Sequence, residues 1–367
     1  MRLSAIGRTI EELDTPALLL DLDAFERNVA TMAATFAREG KAWRPHAKAF
    51  KSPAIANVLK KAGAIGVTVA KVSEAEVMAA GGIDDILIAH LVVGEAKADR
   101  LAALQRRADV KATVDHPDQV APLGRAAVKA GVTLGLLLDV DLGMKRTGVA
   151  DPAVAVDLAR RVVDTPGLRL DGIMGYEGHT LMIADPTEKR QAIETAIGRL
   201  TAVQASLESA GIPCRIVSAG GTGSYQVTAG IEGPTELQAG GGIFACRYYT
   251  EVCHVTGHQP ALSVLATVVS RPARDRAVLD IGRKSISDYR TPPVLADFNH
   301  HPVDMLSAEH ATFAVPSWLD ESLKVGKKVS VVPGYSDFTF VLHDRVLGIR
   351  QGRVESSWEL LGRGMLQ

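Results

Sequence analysis

The chain alternates short apolar runs with longer amphipathic stretches over its first two-thirds. ALLLDLD (residues 17–23) precedes an amphipathic run from Ala24 to Arg38. AWRPHAK (42–48) precedes SPAIANVLKKAG, in which Ser52 reads as an N-cap, Pro53 as the first helical residue and Gly63 as the stop. GVTVA (66–70) leads into SEAEVMAAGG, where Ser73 and Glu76 have the spacing of a capping box. DILIAH (85–90), DVKATVD (109–115), VTLGLLLDVD (132–141), LRLDGIMGYEGH (168–179), PCRIVSAGGTGS (213–224) and TELQAGG (235–241) continue the series, with helical patterns at 116–130, 151–163 and 187–211. Such alternation implies an α/β fold with a parallel sheet and right-handed crossovers. Of the nine strands counted, eight would close a (β/α)8 TIM-like barrel, and the first is left to join a sheet formed elsewhere. From about residue 246 the pattern becomes short strands and turns with little helical period, which predicts an antiparallel β domain. The expected partition is a barrel at 24–245 and a β domain made of 1–23 and 246–367.

Composition narrows the partners. With 41 Lys+Arg against 42 Asp+Glu the net charge is -1, which removes the uniform positive field of a nucleic-acid binder. No uninterrupted apolar stretch is long enough for a membrane span, and acidic residues interrupt MRLSAIGRTIEELD before any signal-peptide core develops. Cys214, Cys246 and Cys253 are odd in number and lack CxxC spacing, which suits reduced cytoplasmic thiols.

The chemistry concentrates in two glycine groups and one basic strand. Numbered from AWRPHAK, the seventh barrel strand ends in Ser218–Ser224 (SAGGTGS) and the eighth in Ala239-Gly240-Gly241-Gly242. That pair of loops commonly forms a phosphate site, because glycine lets main-chain N–H groups approach the oxygens and Thr222 and Ser224 add hydroxyls. Tight βα turns would use the same glycines. If 42–48 is a strand, Arg44, His46 and Lys48 share one face, where something anionic or covalent would have to meet them; the alternative is a basic loop with Lys48 and Lys51 in solvent. Lys48 lies at the carboxyl end of the strand, where a lysine with neighbouring positive charge can form a Schiff base. A ligand with an aldehyde at one end and a phosphate at the other would bridge lysine and glycines, and pyridoxal 5'-phosphate fits that description.

DTPALLLDLDAFERNV, RPHAKAFKSP, SEAEVMAAGG, DVDLGMKRTGV, GYEGH, SAGGT and TELQAGG together resemble the D-threonine aldolase/D-serine dehydratase family of alanine-racemase-like (fold-type III) pyridoxal-phosphate enzymes, in order and over nearly the whole chain. The resemblance implies a barrel plus a β domain that takes the first strand, and a homodimer acting on a small D-amino acid. It implies Lys48 as the Schiff-base lysine, tuned by His46, and Arg146 near the cofactor ring. Tyr176 and His179 are implied for ring contact and acid/base work, and Thr222, Gly223, Gly240 and Gly241 for the phosphate. Family members also bind a divalent metal through Pro-x-His-x-Cys or Pro-x-His-x-Asp. Here VVPGYSDFT keeps Pro333, places Tyr335 at the histidine and leaves Asp337. Asp337 could still hold Mg²⁺ or Mn²⁺ through waters, aided by His310, or Tyr335 and Asp337 could meet substrate directly. The expected activity is aldol-type Cα–Cβ cleavage of a D-3-hydroxy amino acid. The alternatives are a D-serine/D-threonine dehydratase, an amino-acid racemase and a non-catalytic cofactor carrier.

Overall fold

A computed structural model describes residues 5–367; residues 1–4, which open the segment 1–23 discussed above, lie outside the described residues. The strands are β1 (Ala17–Asp21), β2 (Ala42–Trp43), β3 (Val67–Val69), β4 (Asp85–Leu91), β5 (Asp109–Val114), β6 (Leu134–Val140), β7 (Leu168–Gly175), β8 (Ile216–Ala219) and β9 (Glu236–Leu237). They continue with β10 (Leu262–Ala273), β11 (Arg276–Leu279), β12 (Val294–Leu295), β13 (His301–Pro302), β14 (Met305–Leu306), β15 (Ala311–Ala314), β16 (Lys328–Val332), β17 (Arg345–Arg350) and β18 (Arg353–Glu359). The helices are α1 (Leu22–Arg38), α2 (Pro53–Lys61), α3 (Val72–Ala80), α4 (Glu95–Leu104), α5 (Pro117–Ala130), α6 (Pro152–Asp164), α7 (Pro186–Ser209), α8 (Tyr225–Thr228) and α9 (Ser336–Phe340). Among the described residues no helix is long and apolar enough to cross a membrane.

Two compact units emerge. One comprises Met32–Lys48, Pro53–Gly240 and Gly364–Gln367, the other Met1–Thr31, Ala49–Ser52 and Gly241–Arg363. In the first, β2 to β9 run parallel in the order β2-β9-β8-β7-β6-β5-β4-β3, and a parallel bridge from His46 to Thr68 closes the ring. The barrel strands bury both faces, as the all-buried LGLLLDV of β6 illustrates, which is why they read as near-continuous apolar runs. Helix caps follow their residue chemistry: Asp151 and Asp185 accept N–H groups at the starts of α6 and α7, each ahead of a proline. The capping box expected at Ser73 and Glu76 is not formed. Instead α3 starts two residues earlier, with Lys71 at the N-cap position, Glu74 accepts the Ala70 N–H at 2.7 Å, and Glu76 pairs with Arg100. Ser52 likewise donates its hydroxyl to the Glu359 carbonyl.

In the second unit, β1 lies between β10, antiparallel from Ala17↔Leu265 to Leu20↔Leu262, and β17, parallel from Leu19↔Leu347 to Asp21↔Ile349. The first strand thus leaves the barrel for the other sheet, as its surplus predicted. The parallel β1–β17 pair makes that sheet mixed rather than purely antiparallel.

Candidate active site

The carboxyl ends of the barrel strands converge on the ring of Tyr176, which follows β7. Lys48 Nζ and Arg146 Cζ each lie 5.8 Å from its centroid, within reach of cation–π attraction. Glycines hold the ring from its edges: a Cβ on Gly178 would come within 2.5 Å of Tyr176 Cε1, and one on Gly221 within 2.6 Å of Cε2. The glycines of GYEGH and SAGGT are therefore required by the close approach of this side chain as well as by turn geometry.

Lys48 stands exposed in a short 3-10 turn, Ala47–Ala49, just past β2, and not on the strand as expected. Beyond Trp43 the Arg44 and His46 N–H groups still reach the Leu237 and Gln238 carbonyls, at 2.9 and 3.0 Å. The extended pairing gives way at the 3-10 turn that begins with Ala47. His46 meets Lys48 through its Nδ1, which accepts the Lys48 main-chain N–H at 3.3 Å. Arg44 parts from the other two. It is 2% exposed, with Nε 2.9 Å from Glu236 and Nη1 2.7 Å from Asp85, so two carboxylates rather than a ligand satisfy it. Lys111, Asp109, Arg169 and Asp171 extend these pairs across the amino-terminal end of the barrel, the end that serves stability. Lys51 is buried with a left-handed backbone (φ 52°), which corrects its reading as a solvent lysine.

The loop after β8 carries Thr222 and Gly223, both buried. Among the described residues the N–H groups of Gly223 and Gly240 find no acceptor. Buried main-chain donors without partners are rare, and they suit an anion. Gly240 also passes so close to His46 that a Cβ would lie 2.5 Å from its carbonyl oxygen. An exposed lysine amine, a flat aromatic face flanked by a guanidinium, and unpaired buried N–H groups fit pyridoxal phosphate. The pairing and burial of Glu177 gave no signal in the sequence beyond its place in GYEGH. Fully buried, it accepts the Thr228 hydroxyl at 2.7 Å and the Gly220 N–H at 3.3 Å, tying the end of β7 to the glycine loop.

The loop bearing Arg146 hangs on carboxylates at the strand ends. Asp139 accepts the Thr147 hydroxyl at 2.7 Å, Asp115 the Gly148 N–H at 3.0 Å, and Asp141 the N–H groups of Gly143 and Lys145. Burial pushes the Asp139 carboxyl up to about 6, against the Thr147 hydrogen bond. His179 lies against Gly143, where a Cβ would be 3.3 Å from its Nε2.

The remaining expected residues belong to the second unit. Gly241 opens a 3-10 turn, Gly241–Ile243, beneath the Tyr249 ring, which leaves no room for a side chain there. Asp337 is buried on α9, accepting the Tyr335 hydroxyl at 2.9 Å and the Ser336 hydroxyl at 3.3 Å. His310 is exposed in the turn between β14 and β15, and among the described residues no three His, Cys, Asp or Glu side chains converge as metal ligands.

Comparison with known proteins agrees with this architecture. The family model "Alanine racemase, N-terminal domain" matches residues 20–246, and "Putative serine dehydratase domain" matches 261–349. The chain is 36% identical to D-threonine aldolase of Arthrobacter sp over 98% of its length and 95% of the relative's. It is 35% identical to 3-hydroxy-D-aspartate aldolase of Paracoccus denitrificans (strain Pd 1222), over 98% and 94%. The crystal structure of D-threonine aldolase from Filomicrobium marinum superposes with a TM-score of 0.95 at 36% identity, covering 100% of both chains. The chain belongs to the alanine-racemase-like, fold-type III family of pyridoxal-phosphate enzymes and is a lyase of that family.

Proposed function

We propose that the chain cleaves the Cα–Cβ bond of a D-3-hydroxy amino acid, releasing glycine and an aldehyde. Full-length identity of 36% and 35% to two aldolases carries the reading. When bound, pyridoxal phosphate supplies an electron sink for the pair left on Cα. Lys48 would hold it covalently through Nζ. His46 would fix the backbone turn that presents this lysine, Tyr176 and Arg146 would orient the ring, and Thr222, Gly223, Gly240 and Gly241 would receive the phosphate. His179 would take the proton from the substrate's 3-hydroxyl as the Cα–Cβ bond breaks, with Tyr176 as the second proton-handling group. The reading gives cofactor binding to the barrel domain, 24–245, leaves 1–23 and 246–367 as the β domain, and takes the enzyme as a cytoplasmic homodimer without nucleic-acid or membrane partners.

The match of residues 261–349 to a dehydratase domain makes dehydration the second reading. Incubation with D-threonine separates the two: acetaldehyde and glycine are expected, whereas 2-oxobutanoate and ammonia would move the assignment to a dehydratase. Conversion to the other stereoisomers alone would indicate a racemase, and cofactor binding without turnover of any D-amino acid a carrier. Borohydride reduction and peptide mapping should place the pyridoxyl group on Lys48; its absence there would sink the site assignment.

A further inference from the structure

The resemblance implies a divalent cation at residues 333–337, yet the groups gathered there form a closed hydrogen-bonded set. Asp337 is 4% exposed and both of its oxygens are engaged by hydroxyl groups, Oδ2 by Tyr335 at 2.9 Å and Oδ1 by Ser336 at 3.3 Å. A second phenol, that of Tyr249, lies 3.4 Å from the Tyr335 hydroxyl. The Tyr335 ring is itself packed among four others, with centroids 5.0 Å from Tyr248, 5.8 Å from Tyr249, 5.5 Å from Tyr289 and 4.9 Å from Phe338. It cannot swing aside without breaking those contacts.

The backbone fixes this arrangement. Gly334 donates to the Ser287 carbonyl, and its α-carbon passes so near the Thr291 carbonyl that no side chain fits. Thr339 donates its hydroxyl to the Tyr335 carbonyl at 2.8 Å. A divalent ion needs several anionic oxygens or imidazoles to replace its hydration shell, and one carboxylate beside neutral hydroxyls is a weak set.

We propose that the Tyr335 hydroxyl takes the position on Asp337 that a divalent cation would occupy, so that this chain works with a cation-free tyrosine–aspartate pair. The inference is independent of which bond the enzyme breaks. Where a cation would offer a Lewis acid, the pair offers a phenolic proton held by a carboxylate.

Mn²⁺ titration of the purified holoenzyme, with free ion read by electron paramagnetic resonance, tests this without an activity assay. The wild-type chain should leave added Mn²⁺ free, and Tyr335→His, with folding checked by circular dichroism, should take up about one equivalent by restoring an imidazole beside the carboxylate. Stoichiometric uptake by the wild-type chain that Asp337→Asn abolishes would overturn the proposal, and needs no folded Tyr335 variant. A folded Tyr335→His that binds no Mn²⁺ would equally defeat the assigned position. Lyase turnover, where observed, should survive dialysis against a chelator. Absence of turnover with every D-3-hydroxy amino acid would count against the proposed reaction and leave the Mn²⁺ result standing.

Discussion

At the barrel mouth Tyr176 is held where glycine makes room for it, between Gly178 and Gly221 and beside Lys48 and Arg146. Gly221→Ala would put a methyl 2.6 Å from the ring, and overpacking of this kind typically costs about 1–3 kcal/mol. We expect the variant to hold pyridoxal phosphate roughly tenfold more weakly, as fluorescence titration would measure. Unchanged affinity would show that the ring does not position the cofactor. Asp139 provides a pH test. Its carboxyl rises from 3.8 to about 6 in the folded chain because burial disfavours the charge. The folded state therefore holds its proton more tightly than the unfolded one, and stability falls as pH rises from about 4 to about 6. Asp139→Asn removes that ionisation, so it should stabilise most above pH 6 and least near pH 4, a difference visible in urea midpoints at the two ends. A stabilisation that does not change with pH would refute the shift. At this scale RPHAK, GYEGH and SAGGT were legible as chemistry because lysine, tyrosine and glycine have few other reasons to cluster. The carboxylates that hang the Arg146 loop were not, since Asp139 and Asp115 sit in apolar strand patterns far apart in sequence.

Among the elements, β2 illustrates how tertiary pairing overrides a local pattern. The period of two put Arg44, His46 and Lys48 on one face, but main-chain pairing reaches only as far as His46 and Lys48 turns out of it in the 3-10 turn that follows. Arg44 then faces Glu236 from β9 and Asp85 from β4. Removing one partner of a buried ion pair strands the other charges, so Arg44→Met should destabilise the barrel by about 3–5 kcal/mol. Chemical denaturation would measure it, and a loss below about 1 kcal/mol would mean that solvent screens the cluster. Helix positions were read well from periodicity and proline, as α5, α6 and α7 demonstrate. Capping details were not, because the Ser73 hydroxyl accepts the Gln367 N–H and the Glu74 carboxylate accepts the Ala70 N–H, and only the folded chain brings those donors to them.

At the scale of the whole chain, β1 binds the beginning of the sequence to its end, with β10 on one side and β17 on the other. A strand inside a sheet leaves two unpaired edges when it is removed. Truncation through Asp21 should therefore abolish cooperative thermal unfolding of the purified chain; a truncated protein with an unchanged melting temperature would contradict the topology. The surplus of one strand over eight already said that β1 lay outside the barrel, yet no local signal named its partners, because strands paired across more than 200 residues share nothing but apolar faces.

Alone, the sequence determined the βα alternation, the surplus first strand and the glycine loops, since these rest on local periodicity and backbone freedom. It also raised the exchange of histidine for tyrosine at residue 335, which is a matter of residue identity. Only the tertiary structure decided that Arg44 is neutralised inside the barrel, that Glu177 ties two strands' loops together, and that Tyr335 closes onto Asp337 rather than leaving it open. Those outcomes depend on which carboxylates and hydroxyls meet after folding, and burial makes each such meeting obligatory, because an unpaired polar group in the interior is costly wherever its partner lies in sequence.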